Sequence, residues 1–353
     1  MSSPLLDAFA RQAQWCREGE APFSARVLEA TAAWLAEHPA SHDEIAAVAD
    51  DPGAAAVPLR LLAGLHRVAL QGRLPWSALW PPDSQLGDGP DDDHNLRVAI
   101  AHAWHFQGAL LRQGLENPPQ TNEVQRSAAL LPGLLHVAAR TGMPLALLEI
   151  GASAGLNLWA DHYRVETPAF ALGPADAALV LRPEWRGPAP PQAPLAIEHR
   201  AGCDLRPVDL LQEGEDERLA SYIWAEQAER LERLRQAVAI ARARMAADGV
   251  RIAAARAPQF LRQQLTLRLP GQAMVLMHSV VWQYLPAAEQ QAVTMLMQVA
   301  GEASTPETPL AWLRFEPTET GFAVELRCRS WPGGEDQLLA RCHPHGAWIE
   351  WLA

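Results

Sequence analysis

The sequence predicts an α/β protein: a helical N-terminal region, residues 1–140, followed by a domain at 141–353 with a doubly wound, mostly parallel sheet and a terminal β-hairpin. Three observations predict it. Residues 4 to about 140 space their apolar side chains at helical intervals and carry almost no strand signal. From Pro144 onward, short apolar runs alternate with helical stretches, the pattern of parallel strands joined by helices. The C-terminal GFAVELRCRSWPGGEDQLLARCHPHGAWIEWLA holds two strand-like runs around Pro332-Gly333-Gly334, a hairpin signature.

Within the first region, apolar residues recur at three and four over Ser24–Leu35 and Pro58–Leu70, predicting helices there. GDGPDDDH at 87–94 reads as a polar loop, followed by helices over Leu96–Leu111 and Thr121–Ala139, the latter with Thr121 and Asn122 as caps and Glu123 in its first turn. Pro144–Ile150, a short apolar run ended by glycine, predicts a buried parallel strand. The Pro- and Gly-rich stretch at about 165–194 predicts an inserted loop or hairpin. A second strand ends near Cys203-Asp204, and Glu215–Ala246 reads as one long helix. Val250–Ala255, Ala273–His278 and Leu310–Phe315 read as strands, with a helix at Ala287–Ala300 before the last.

Composition excludes several chemistries. Net charge is −12, and no arginine stripe with interleaved aromatics is present, which argues against a nucleic-acid partner. All basic side chains are arginine; without lysine there is no Walker-A lysine, no Schiff-base lysine and no Ser–Lys dyad. Cys16, Cys203, Cys328 and Cys342 are scattered and form no C-x-x-C pair, as expected of free thiols in a reducing compartment. No signal peptide and no run of eighteen apolar residues is seen, so the expectation is a cytoplasmic protein with no membrane partner.

The stretch LLEIGASAGLNL (147–158) can be parsed in two ways. Gly151-Ala152-Ser153-Ala154-Gly155 fits G-x-S-x-G, the turn that presents a hydrolase's nucleophilic serine. A triad would then draw on Asp204 or Glu316 and on His343 or His345. With Glu149 in front, the same letters fit a strand, glycine turn and helix that hold a nucleotide-like cofactor. The cofactor parse also asks for an acid at the end of the next strand to take ribose hydroxyls, and RAGCDLRPVDL (200–210) supplies Asp204. A third possibility is a tight strand-to-helix turn with no ligand.

EIGASAG, GCDLRP, VLMHSVVWQYLP and a closing hairpin occur in an order that resembles class I S-adenosylmethionine-dependent methyltransferases. Across nearly the whole chain, QTNEVQRSAALLP (120–132), LLEIGASAGLNLWADHY (147–163), RAGCDLRPVDL (200–210), MHSVVWQYLP (277–286) and CHPHGAWIEWL (342–352) are similar to a bacterial family known as domain of unknown function 2332. The resemblance implies a class I methyltransferase-like fold whose helical region covers the pocket. It implies S-adenosylmethionine as cofactor, contacted by Glu149, Gly151, Ser153, Gly155, Asn157, Asp204 and Ser279. The reaction expected is methyl transfer to a small molecule or a protein side chain. A scaffold that keeps the fold without the cofactor and a serine hydrolase using Ser153 stay open as alternatives. Two positions depart from the methyltransferase pattern. Arg256 stands where an adenine-contacting acid is usual, and Ser153 narrows the cofactor's approach.

His278, at the end of the fourth strand, is the candidate general base, with Tyr284 in a loop over the pocket and Glu123 as a further catalytic candidate. Asn122, Arg126 and His345 are candidate substrate contacts; Glu123 and Arg126 are also spaced for a local i, i+3 ion pair. Cys342, His343 and His345 lie close together, and His-x-His spacing would put both rings on one face of a strand, but no third ligand stands out elsewhere and no metal is expected. Trp312, Trp348 and Trp351 read as packing residues of the last strands.

Overall fold

The computed structural model describes residues 3–72, 77–81, 84, 87, 89–318 and 323–353. Met1, Ser2, Asp88 of the 87–94 stretch, and Gly321 and Phe322 at the start of the C-terminal run lie outside the described residues.

The chain forms two compact units, Met1–Thr121 with Glu213–Arg235, and Asn122–Gln212 with Gln236–Ala353. In chain order the helices are α1 Pro4–Glu18, α2 Pro22–Glu37, α3 Pro39–Ala46, α4 Val57–Leu70, α5 Pro90–Phe106, α6 Gly108–Glu116, α7 Ser127–Thr141, α8 Glu215–Ser221, α9 Ala228–Asp248, α10 Ala257–Gln264 and α11 Ala287–Glu302. The first unit holds α1–α6 and α8 around a core that includes Phe9, Leu28, Trp34, Leu61 and Trp104. Several of these helices open on proline at the first helical position, where its missing N–H costs nothing.

Two expected helices divide. The one expected over Leu96–Leu111 starts six residues earlier, at Pro90, and ends at Phe106; a new helix begins at Gly108. Asp91, Asp92 and Asp93, which read as loop by composition, fill the first turn of α5, where the helix dipole favours them. The Glu215–Ala246 helix breaks after Ser221. In the break, the Ile223 carbonyl meets His66 Nδ1 (2.9 Å) and the Glu226 carboxylate accepts from Ser24 N (3.0 Å) and Oγ (2.7 Å). These tertiary partners override the local helical pattern. Burial pushes the His66 ring down to about 4, keeping it neutral.

The second unit is a mixed α/β structure on a large, mostly parallel sheet. Its strands are β1 Leu145–Ile150, β2 Arg164–Glu166, β3 Ala171–Leu172, β4 Val180–Leu181, β5 Glu184–Arg186, β6 Ile197–Asp204, β7 Ile252–Ala254, β8 Ala273–Ser279, β9 Leu310–Pro317, β10 Val324–Trp331, β11 Glu335–Cys342 and β12 Trp348–Trp351. The nine-stranded order is β5-β12-β11-β10-β9-β8-β1-β6-β7. From β7 to β9 all neighbours are parallel, whereas β9 to β12 form an antiparallel meander. The hairpin expected at Pro332-Gly333-Gly334 forms between β10 and β11, and a further turn adds β12.

The Pro-rich insertion is more than a loop. It forms a small sheet, β3-β2-β4, and then β5, which pairs parallel with β12 at the edge of the main sheet. Gly187 permits this closure, since a Cβ there would lie 2.2 Å from the Trp351 carbonyl oxygen.

Side-chain alternation sorts helices to the two faces of the sheet. Leu148, Leu276 and Trp312 share one face with Phe260 of α10 and with Val293 and Met297 of α11. Leu313 points to the other, where α7 packs so closely that a Cβ on Gly133 would sit 2.8 Å from it. Gly301 of α11 has the same function against Trp331, whose ring would be 2.3 Å from an added Cβ. Alanine gains helix propensity over glycine, about 0.5–1 kcal/mol, but overpacking a rigid indole costs about 1–3 kcal/mol. Gly301→Ala is therefore expected to lower the urea midpoint of unfolding; an unchanged or raised midpoint would show that α11 can move away from Trp331 at no cost.

Candidate active site

Among the five consecutive parallel strands, chain order reverses between β1 and β8. In open α/β sheets ligands sit outside the carboxyl ends of the strands at such a reversal. At that edge β1 ends on Glu149 and Ile150, and the chain enters a turn with three left-handed residues, Gly151 (φ 66°), Ser153 (φ 53°) and Gly155 (φ 73°). The turn leads into the 3-10 segment Leu156–His162, not a full α-helix. Packing accounts for both glycines: a Cβ on Gly151 would meet Val281 at 2.3 Å, and one on Gly155 would meet Ile252 at 2.6 Å. Ser153 has no such freedom, and its left-handed backbone is strained.

Asp204 at the end of β6 holds that strained turn. Its carboxylate accepts from Ser153 N (2.9 Å) and from Arg206 N (2.9 Å), while Ala152 N donates to the Cys203 carbonyl (3.0 Å). Asn122 adds a tie: its Oδ1 accepts from Leu156 N (2.9 Å). It therefore does not cap a helix at Thr121, as the sequence suggested. Instead a 3-10 turn, Val124–Arg126, precedes α7, and the Glu123 carboxylate caps that turn by accepting from Gln125 N (3.2 Å).

Behind the turn lies a buried polar group. Glu149 is 1% exposed, and burial, reinforced by the nearby Asp204 charge, holds its carboxyl well above the usual range. The Asn157 amide and Arg126 pull the other way. Asn157 Oδ1 accepts from Ser127 Oγ (2.8 Å). Three buried atoms, Glu149 Oε2, Ser153 Oγ and Asn157 Nδ2, have no partner in hydrogen-bonding geometry among the described residues. Buried polar atoms are rarely left so, and three on one turn ask for an explanation. No histidine hydrogen-bonds Ser153 Oγ among the described residues, so the arrangement supplies no base to a serine nucleophile.

Arg126 joins separate parts of the sequence. Its Nε donates to the Pro344 carbonyl (3.0 Å) and its Nη1 to the Ser279 carbonyl (3.2 Å). Gln125 reaches Gly346 O (3.5 Å), and Glu123 lies close enough to His343 to oppose the lowering of its basicity by burial. QTNEV and CHPHG are thus one three-dimensional feature. His343 and His345 do not project from one face of a strand as their spacing suggested. They sit in the turn after β11, rings perpendicular at 5.6 Å, with His345 exposed.

His278 belongs to the opposite face of β8. Glu149 is in register with Met277, and the His278 side chain alternates to the α10–α11 side. The turn and His278 are therefore separated by the sheet. His278 is 1% exposed, stacked on Trp282 (5.3 Å) beside Trp312 (6.0 Å), with Nδ1 2.6 Å from Glu316 Oε1. Glu316 also accepts from Val281 N (3.1 Å) and Trp282 N (3.3 Å). The sequence offered Glu316 only as a triad acid for Ser153; here it orients His278 instead. Its position at the end of β9, beside the end of β8, brings the two side chains together. Tyr284 does not form a lid: it ends a 3-10 turn and is 73% exposed. Arg256, where an acid was expected, pairs with Glu289.

The two carboxyls of the turn respond differently to substitution. Asp204→Ala removes two charge-assisted bonds, about 1.5–3 kcal/mol each before relaxation, so it should destabilise the protein by roughly 2–4 kcal/mol in the absence of any ligand. Unchanged stability would leave Asp204 with no structural role. Glu149 behaves oppositely. Because its folded-state carboxyl binds a proton more tightly than the unfolded one, stability is lost as pH rises from the ordinary carboxyl range toward the raised value. Glu149→Gln should thus be more stable than wild type at pH 8, with the gain shrinking toward pH 4.5. A gain independent of pH would contradict the assignment.

No curated protein and no solved structure matches the chain. A family model matches from residue 6 to residue 351, taking in the β1 turn, Asp204, the His278–Glu316 pair and the Arg126 junction. The chain belongs to this family, described as uncharacterized protein conserved in bacteria (DUF2332).

Proposed function

We propose that the second unit is a doubly wound, class I methyltransferase-like domain that binds S-adenosylmethionine at the β1 turn and acts on a small molecule or a protein side chain. The observation that supports this reading is the set of unpartnered buried atoms, Glu149 Oε2, Ser153 Oγ and Asn157 Nδ2, at the carboxyl edge where strand order reverses. The strand order from β7 to β9 agrees with it, running third, second, first, fourth and fifth in chain order among these parallel strands.

When bound, the cofactor would supply an electrophilic methyl on a sulfonium. The chain's contribution is binding and alignment. Asp204, which accepts the Ser153 and Arg206 amides at the end of β6, is the acid this reading assigns to the ribose hydroxyls. Ser153 Oγ is a buried donor without an acceptor among the described residues, and the Glu149 carboxyl with the Asn157 amide beside it would supply the remaining polar contacts. Gly151 and Gly155 hold the turn in shape, and Arg126 fixes Ser279 at the neighbouring strand end. This reading assigns Glu123 and His343, with Asn122, Arg126 and His345, to the acceptor. His278 and Tyr284 stand elsewhere. The acidic balance of the chain disfavours a nucleic-acid acceptor.

Val281 favours a second reading. It fills the space beside Gly151, and the Asp204 carboxylate is held by its own chain. Both suit a scaffold that keeps the fold without the cofactor. Calorimetry separates the two. The first reading expects a dissociation constant for S-adenosylmethionine below about 100 μM, roughly −5.5 kcal/mol, weakened about tenfold by Ser153→Ala. A folded protein that takes up no cofactor would leave the scaffold.

A further inference from the structure

A cavity of about 250 Å³ lies on the α11 face of the sheet at β8, β9 and β10. His278, Trp282 and Trp312 line it, with arginines from β9 and β10. The sheet separates it from the β1 turn, and the cofactor reading does not rest on it.

Two of its polar groups stand out, although Trp312 Nε1 and Arg314 Nε are also buried without a partner among the described residues. Arg314 Nη2 meets Asp336 (2.5 Å), and Arg327 meets Glu325 (3.1 Å) and Asp336 (3.6 Å). Glu316 is occupied by His278 and by two backbone amides. Arg329 meets no carboxylate among the described residues. Its Nε donates to the Gly334 carbonyl (3.1 Å) and its guanidinium lies over Trp331 (4.9 Å), which leaves an uncompensated cation on the cavity wall. The second is His278 Nε2, which is buried and has no partner among the described residues. In the tautomer that donates Nδ1–H to Glu316, Nε2 is an acceptor for a hydroxyl. The indoles of Trp282 and Trp312, packed edge to face at 5.6 Å, provide flat apolar walls. A cavity of roughly 150 Å³ accepts benzene, so this one has room for a single substituted ring.

We propose that this cavity binds a small flat monocarboxylate that also carries a hydroxyl, the carboxylate on Arg329 and the hydroxyl on His278 Nε2, with Glu316 as the positioning residue for the imidazole. Glu316 and Glu325 on the wall disfavour a dianion such as phosphate.

Calorimetry on the full chain with 4-hydroxybenzoate, benzoate, 4-hydroxybenzamide and inorganic phosphate tests this. 4-Hydroxybenzoate is expected to bind at least tenfold more tightly than benzoate, which lacks the hydroxyl, and than the amide, which lacks the charge. Arg329→Met should abolish the preference over the amide, and His278→Gln the preference over benzoate. Arg341→Met, on β11 outside the cavity wall, should change neither. Should His278→Gln fail to fold, the Arg329 comparison still decides. Equal affinity for 4-hydroxybenzoate and the amide, phosphate binding as tightly, or no uptake by 10 mM would each overturn the proposal.

Discussion

The turn after β1 depends on one carboxylate. Left-handed backbone at Ser153 carries a steric penalty of about 1–3 kcal/mol, and it persists because Asp204 accepts the Ser153 amide while also closing the Arg206 turn on its own strand. Two parallel strands are thereby tied together past the end of their ladder, and everything placed on the turn inherits its position from that tie. Asn157, Leu156 and the Glu149 carboxyl behind them fall where they do because the chain leaves β1 in this direction. An acid at this position thus has a structural duty before any ligand arrives.

The second organising contact is Arg126. Its five donors and planar fork suit it to collecting carbonyls from segments that share no ladder. It takes them from the end of β8 and from the turn after β11, 153 and 218 residues away in sequence. The antiparallel meander and the parallel strands are therefore joined at their edge by a side chain as well as by the β8–β9 pairing.

Much of the sheet was legible in the sequence, because buried parallel strands are short apolar runs and β1, β8 and β9 are just that. The reverse held wherever a tertiary partner outweighed local pattern. Asn122 reads as a cap, since Asn before an apolar run usually is one, but its acceptor is taken by an amide 34 residues on. Asp91–Asp93 read as loop because charge runs usually are, and only proline at the first helical position betrays α5. The glycine turn was found correctly for an incomplete reason: its glycines are required by Val281 and Ile252. The partnership of His278 with Glu316 was not legible, because it needs the order of two strands that sequence alone does not place side by side.

The two polar clusters face opposite sides of the sheet, yet they share one short segment. Val280, a β-branched residue, has φ 52°, an outlier that neighbouring structure must enforce. Its amide is held by the Phe315 carbonyl (2.9 Å), and the next two amides, Val281 and Trp282, are held by Glu316. The reversal at Val280 sends Val281 over Gly151 on one side and Trp282 over His278 on the other. Glu316 is therefore the counterpart of Asp204. Each is a carboxylate at the end of a parallel strand, and each stabilises a left-handed residue at the end of its neighbour by accepting nearby backbone amides. Moving Val281 away from Gly151 would require Glu316 to release the same amides that fix Trp282 against the imidazole. Any ligand that needs the space beside Gly151 is for that reason coupled to the geometry of His278, although the sheet lies between them.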